Sequence, residues 1–245
     1  MRHLPVKLAA IATISLIATQ GQAAVCDPYV GAGETALEGA TVCFVYNQNN
    51  IDPMYGTPSV SGDTIFVTPT NFLAESNNTD GSVLTTGTGT IQIIAKSGYV
   101  LDGINFGEVG DYRMSAGATS VDVDPYLHVF EWGAVPALGV EEMQTVPVTG
   151  DLTIKDANLH DWSAAGGFDL TTTSWDNINR VGLTLQNTLN AVSLVNGESA
   201  LIQKKAIGSS VDVSTTAVVP VPAAVWLFGS GLLGLVGVAR RRHNC

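Results

Sequence analysis

Along most of this chain apolar and polar residues alternate in short runs; long apolar blocks occur only near its two ends. Alternation sends successive side chains to opposite faces of a strand. Thr41-Val42-Cys43-Phe44-Val45-Tyr46 is rich in the β-branched and aromatic residues that favour strands, and residues 64–68 form a second such run. Residues 91–96 turn at Ser97-Gly98 into Tyr99-Val100-Leu101, and Asp102-Gly103 is a two-residue hairpin signal leading into Ile104-Asn105-Phe106. Further strand-like runs cover residues 121–123, 127–132, 145–148, 152–154, 181–186, 191–195, 200–203 and 211–213. Gly150-Asp151 marks a turn between two of them. The runs recur roughly every ten residues between Gly, Asn, Asp and Ser, which is the pattern of a β-sandwich. Residues 75–89 and 156–173 read as exposed loops, and residues 209–218 read as a small, polar linker. At most one helical turn is expected in the body, around residues 71–75, and no internal repeat is visible.

The two end blocks set the boundaries. Arg2 and Lys7 precede an apolar run over residues 8–18, and Gly21-Gln22-Ala23 offers the small residues that signal peptidase reads. Cleavage is therefore expected after Ala23, making residues 1–23 a signal peptide. Lipoprotein processing at Cys26 is disfavoured, because Val25 stands where a small residue is needed. At the other end, residues 223–239 carry no charge and span about 17 residues, near the lower limit for a membrane-crossing helix. Val225, Leu227, Phe228, Leu232, Leu233, Leu235, Val236 and Val238 together favour insertion by roughly 3–4 kcal/mol. Arg240, Arg241 and Arg242 follow directly and hold the tail on the cytoplasmic side. Pro220 and Pro222 stop any upstream helix and keep Val219 and Val221 extended, as a protease substrate must be.

The stretch Val219-Pro220-Val221-Pro222-Ala223, continuing Ala-Val-Trp-Leu-Phe-Gly-Ser-Gly-Leu-Leu-Gly-Leu and closing on the arginines, resembles the PEP-CTERM sorting signal of Gram-negative bacteria in its Val-Pro-x-Pro-Ala form. The family often has Glu where this chain has Val221. The resemblance covers only the last tenth of the chain. It implies cleavage by an exosortase near residues 219–222, then release of the body or its transfer to the cell surface or to exopolysaccharide, as in biofilm. The alternative is a plain C-terminal tail anchor.

The expected organisation is thus a signal peptide (1–23), an all-β single-sandwich ectodomain (24–213), a linker (214–218) and a sorting signal (219–242) containing a transmembrane helix (223–239). Signal peptidase, exosortase and, transiently, the membrane are the expected partners, with exopolysaccharide a further one. The body keeps six basic residues against all 22 acidic ones, a net charge near −16, which argues against nucleic acid or anionic lipid. Its two cysteines, Cys26 and Cys43, are expected to pair in an oxidising compartment, closing a loop worth about 3 kcal/mol. Cys245 lies beyond the arginines.

Signals for chemistry are sparse. His128 falls in a strand-like run and His160-Asp161-Trp162 in an expected loop, without the Gly-x-Ser-x-Gly elbow of a serine hydrolase. Glu141 and Glu142 would face opposite sides of a strand, unlike a glycosidase pair. Asp122 and Asp124 share a face but do not make a calcium site by themselves. No catalytic residue, cofactor or metal site is assigned, and no enzymatic activity is expected. Trp132, Trp162 and Trp175 are expected in the core; exposed on one face, they would instead stack on sugar rings. Two functions follow: a structural surface or matrix protein without a discrete site and, as the alternative, a carbohydrate-binding module of the same exported class.

Overall fold

The computed structural model describes residues 26–218 apart from 135–137, 177 and 206–208. The strands in chain order are β1 (Glu34–Glu38), β2 (Val42–Asn47), β3 (Ser59–Ser61), β4 (Thr64–Val67), β5 (Leu73–Asn77), β6 (Gly81–Ala95), β7 (Tyr99–Met114), β8 (Thr119–Glu131), β9 (Glu141–Thr145), β10 (Val148–Thr149), β11 (His160–Asp169), β12 (Arg180–Ser193), β13 (Ser199–Lys204) and β14 (Ser209–Ala217). Helix among the described residues is limited to short 3₁₀ turns, such as Pro53–Tyr55 and Thr173–Trp175. One sheet has the order β1-β2-β6-β12-β8-β9; the other is built on β10-β11-β7-β14-β4-β3, with β13 pairing β5 and β7. Both sheets are antiparallel. Their inner faces share one continuous core that includes Phe44, Ile93, Ile104, Tyr112, Leu127, Trp162, Leu183, Leu189 and Ile202. The chain is an all-β sandwich.

Several strands of the sandwich are longer than the turn signals predict. Asp102-Gly103 is not a hairpin turn: β7 runs straight through it. The register of β7 against β14 slips there, with Gly103 opposite Ser214 and Leu101 opposite Thr215, so Asp102 is the extra residue of a bulge. Its carbonyl accepts from Leu170 N–H, and its carboxylate accepts from Thr216. The two runs at 121–123 and 127–132 are one strand, β8, and residues 75–89 belong largely to β5 and β6. Threonine and glycine there alternate because one side of β6 is exposed and the other meets aromatic rings. The expected loop at 156–173 contains β11 for most of its length, and residues 152–154 are not a strand. The expected linker at 209–218, including 214–217 of the segment placed outside the ectodomain, is β14, hydrogen-bonded to β7. No helical turn forms at 71–75; β5 begins at Leu73.

In the second sheet, β13 and β14 lie end to end along one edge of β7: Lys204 pairs with Gly110 and Ser210 with Gly107. Their outer partners, β5 and β4, are interrupted at the matching place, between Val67 and Leu73. The gap is bridged by Lys204 N–H donating to Phe72 O and Lys205 N–H to Val109 O, at 3.0 and 3.1 Å. The sheet therefore breaks its ladder beside Glu108, deep in the fold.

Cys26 and Cys43 are joined in a disulfide with their Cα atoms 5.6 Å apart. The bond packs with Val45 and Ile94 in a small apolar cluster separate from the main core. The expected signal peptide (1–23) and the expected sorting segment (219–242), with its expected transmembrane helix, lie outside the described residues. Among the described residues no helix is long and apolar enough to cross a membrane.

Candidate functional site

Most sequence-derived candidates do not converge. Trp162 and Trp175 are buried, as expected of core residues. Glu142 accepts from the Trp175 indole N–H at 2.6 Å, while Glu141 lies 2.9 Å from the His128 ring, so the two carboxylates serve different neighbours. His160 opens β11 instead of sitting in a loop, and its ring meets Asp156 at 2.7 Å. Hydrogen bonds from His160 and from Asn158 hold the Asp156 carboxyl below the usual carboxylate range. Asp122 and Asp124 both point outward from β8. Among the described residues no group of three or more His, Cys, Asp and Glu side chains is placed to hold a metal ion.

Two arrangements do stand out. The first is on the outer face of the six-stranded sheet. Alternation along β8 sends Tyr126, His128 and Phe130 outward, with Trp132 just beyond the strand. These rings form a row: His128 to Phe130 at 5.1 Å between centroids, and Phe130 stacked on Trp132 at 5.8 Å. The Arg180 guanidinium caps Trp132 at 5.7 Å. Beside the row, register places Gln186 next to Tyr126 and Thr184 next to His128. One strand further, Thr86 meets Thr188 at 3.1 Å and Thr90 meets Thr184 at 2.9 Å. The result is a row of aromatic rings on one sheet face, bordered by hydroxyl and amide groups.

The second is buried at the break in the other sheet. The Lys204 ammonium from β13 and the Asn187 amide from β12 both donate to Glu108 of β7, each to a different carboxylate oxygen. Asn187 belongs to the opposite sheet, so the cluster spans the sandwich. The Lys204 and Glu108 side chains are 1% and 0% exposed. The rings of Tyr55 and Phe72, 5.3 Å apart and edge to face, hold the ammonium from above, at 5.0 and 4.9 Å. Gly87 makes room for them: a Cβ there would stand 2.9 Å from Phe72. Burial lowers the Lys204 pKa against the opposing pull of Glu108. Burial, then the Glu108 charge, pushes the Tyr55 phenol far up. The Asn187 carbonyl oxygen has no hydrogen-bond partner among the described residues.

The sequence reading missed this cluster. A usable signal was present: Glu108, Asn187 and Lys204 each occupy an inward position in an otherwise apolar alternation, as in Ile104, Phe106, Glu108 or Leu183, Leu185, Asn187, Leu189.

No family model matches the chain, and no curated protein does. Among solved structures it aligns with one titled structure of infectious bursal disease virus Gt strain, at 12% identity over 77% of this chain. The TM-score is 0.23 and the alignment covers 49% of that chain, about half its length.

Proposed function

We propose that this chain is an exported structural protein of the cell surface or extracellular matrix, cut near residues 219–222 by an exosortase-type enzyme and retained with exopolysaccharide. The observation that carries the reading is the order of residues in the sequence: a Val-Pro-Val-Pro step, an uncharged apolar run and three arginines, opposite an N-terminal block of basic then apolar residues. The disulfide supports it, because such bonds persist in oxidising compartments. So does the acidic body, which repels itself and anionic surfaces. In this reading the arginines stall the apolar run in the membrane and the prolines present an extended backbone to the protease. Intact-mass measurement of protein from a native host tests it. The expected main species lacks Trp226 through Cys245; a main species retaining Arg240, Arg241 and Arg242 would make the segment a permanent tail anchor.

The aromatic row on β8 favours a second reading, in which the outer face of the six-stranded sheet binds carbohydrate. Aromatic faces stack on the apolar side of sugar rings, and the flanking Thr and Gln groups bond their hydroxyls. Retardation of the exported protein in gels containing exopolysaccharide tests this; unchanged mobility in every polysaccharide offered leaves the structural reading alone.

A further inference from the structure

We infer that Lys204 and Asn187 join in an amide bond between their side chains, formed by the folded protein itself with Glu108 as the proton carrier. The three groups supply the parts that reaction needs. An amine nucleophile must lose its proton, a carboxamide must present its carbon, and a group that both takes and gives a proton must touch both nitrogens. Glu108 bonds the Lys204 ammonium through one oxygen and the Asn187 amide nitrogen through the other. All three side chains come from regular strands, so their positions are fixed by two sheets. Tyr55 and Phe72 lie against the Lys204 ammonium, and Glu108, Asn187 and Lys204 are all buried, which keeps water away from the reacting groups.

The step balances without any further reactant. Glu108 takes a proton from the Lys204 ammonium. The freed amine attacks Cγ of Asn187, forming the new C–N bond and moving the carbonyl pair onto the amide oxygen. A proton passes from the attacking nitrogen to the Asn187 amide nitrogen by way of Glu108; the carbonyl reforms and the old C–N bond breaks. Ammonia leaves uncharged, one proton stays on Glu108, and no group is oxidised or reduced. The product replaces a buried ion pair by a neutral acid beside a neutral amide.

That exchange removes what is costly in the reactant state. A buried charge pair pays heavily for lost hydration, and the reaction turns that pair into neutral groups. The depressed Lys204 pKa, caused by burial, works in the same direction by easing loss of the proton. The bond also lies where the ladder of the second sheet is interrupted, tying β12 of one sheet to β13 of the other. The bond forms once per molecule, as a structural cross-link does.

Peptide mapping of the denatured, exported full chain decides the matter. Trypsin cannot cut after a Lys204 whose amine is an amide, so residues 181–205 are expected as one peptide, lighter by one ammonia. Cutting it after Glu198 is expected to leave residues 181–198 and 199–205 joined. Release of the two pieces at unmodified mass would overturn the inference. So would their release with the ammonia loss confined to Asn187, which is cyclisation of that residue alone. Glu108→Gln keeps both reacting groups but cannot carry the proton, and it is expected to yield separable pieces; full cross-linking in that variant would remove Glu108 from the reaction. Should Glu108→Gln fail to accumulate, the unsubstituted chain still gives the answer.

Discussion

The Phe130 ring lies over Gly182: the two residues are directly paired across β8 and β12, and a Cβ on Gly182 would enter the ring. Glycine is therefore retained inside a long strand for the space it leaves, not for a turn. Gly182→Val is expected to displace Phe130 and break its stack on Trp132. Overpacking of this kind costs about 1–3 kcal/mol. Urea denaturation should show a lowered midpoint, together with a shift in tryptophan emission; an unchanged midpoint and spectrum would mean that the ring moves aside freely.

The same device recurs in the core. Trp162 pairs with Gly110, and its indole fills the space a side chain would take there; Phe72 and Tyr55 do the same over Gly87. This is why part of the fold was hard to read in the sequence. Gly and Thr between residues 81 and 90 carry the composition of a loop, yet they form β6, because the glycine positions accept rings from elsewhere in the chain. Asp102-Gly103 carries the composition of a turn, yet distant β14 and Leu170 hold it as a bulge. What was legible was the local alternation: the all-β class, β2 and the disulfide partners follow from it and from cysteine usage. The Glu108, Asn187 and Lys204 cluster depends on which strands become neighbours across the sandwich, and short runs do not encode that.

The disulfide closes a loop with a sequence separation of 17 and covers Val45 and Ile94. A loop of this size is worth about 3 kcal/mol in the chain-entropy picture. Replacing both Cys26 and Cys43 by Ser is expected to lower unfolding free energy by about that amount, read from denaturant curves of the variant and of the parent protein. The parent should lose the same stability when a reductant is present. A loss well under about 1 kcal/mol in both would show that the reduced chain is already constrained there.

Three surface aspartates act as local turn acceptors. The Asp151 carboxylate accepts from Thr153, Asp169 from Thr171, and Asp156 from His160 and Asn158. These hydrogen bonds favour the charged form and depress all three pKa values. A carboxyl with a depressed folded pKa contributes stability that is fully present above its unfolded value, near 3.9, and is lost as pH falls through the folded value. Stability is therefore expected to fall on acidification below about pH 4 through these groups. His160→Ala removes the largest cause at Asp156, so the Asp156 pKa should rise toward its ordinary value. Carboxyl titration by nuclear magnetic resonance checks it; an unmoved Asp156 would assign its shift to the Asn158 contacts instead.

If the outer face of the six-stranded sheet binds carbohydrate, its aromatic row must carry the affinity. Tyr126, Phe130 and Trp132 are partly exposed, whereas Trp162 and Trp175 are buried, so only the former can meet a ligand. An aromatic contact contributes about 0.5–1.5 kcal/mol beyond its buried area, which is roughly a twofold to tenfold change in dissociation constant. Trp132→Ala and Phe130→Ala should each weaken polysaccharide binding by roughly that factor or more. Thr86→Ala, on the same face but away from the rings, should weaken it less, because a solvated hydroxyl exchanges one hydrogen bond for another with water. Titration calorimetry with soluble exopolysaccharide fragments compares the three. Equal losses in all of them would point to a general surface effect, and no loss in the ring variants would assign the row to stiffening the sheet.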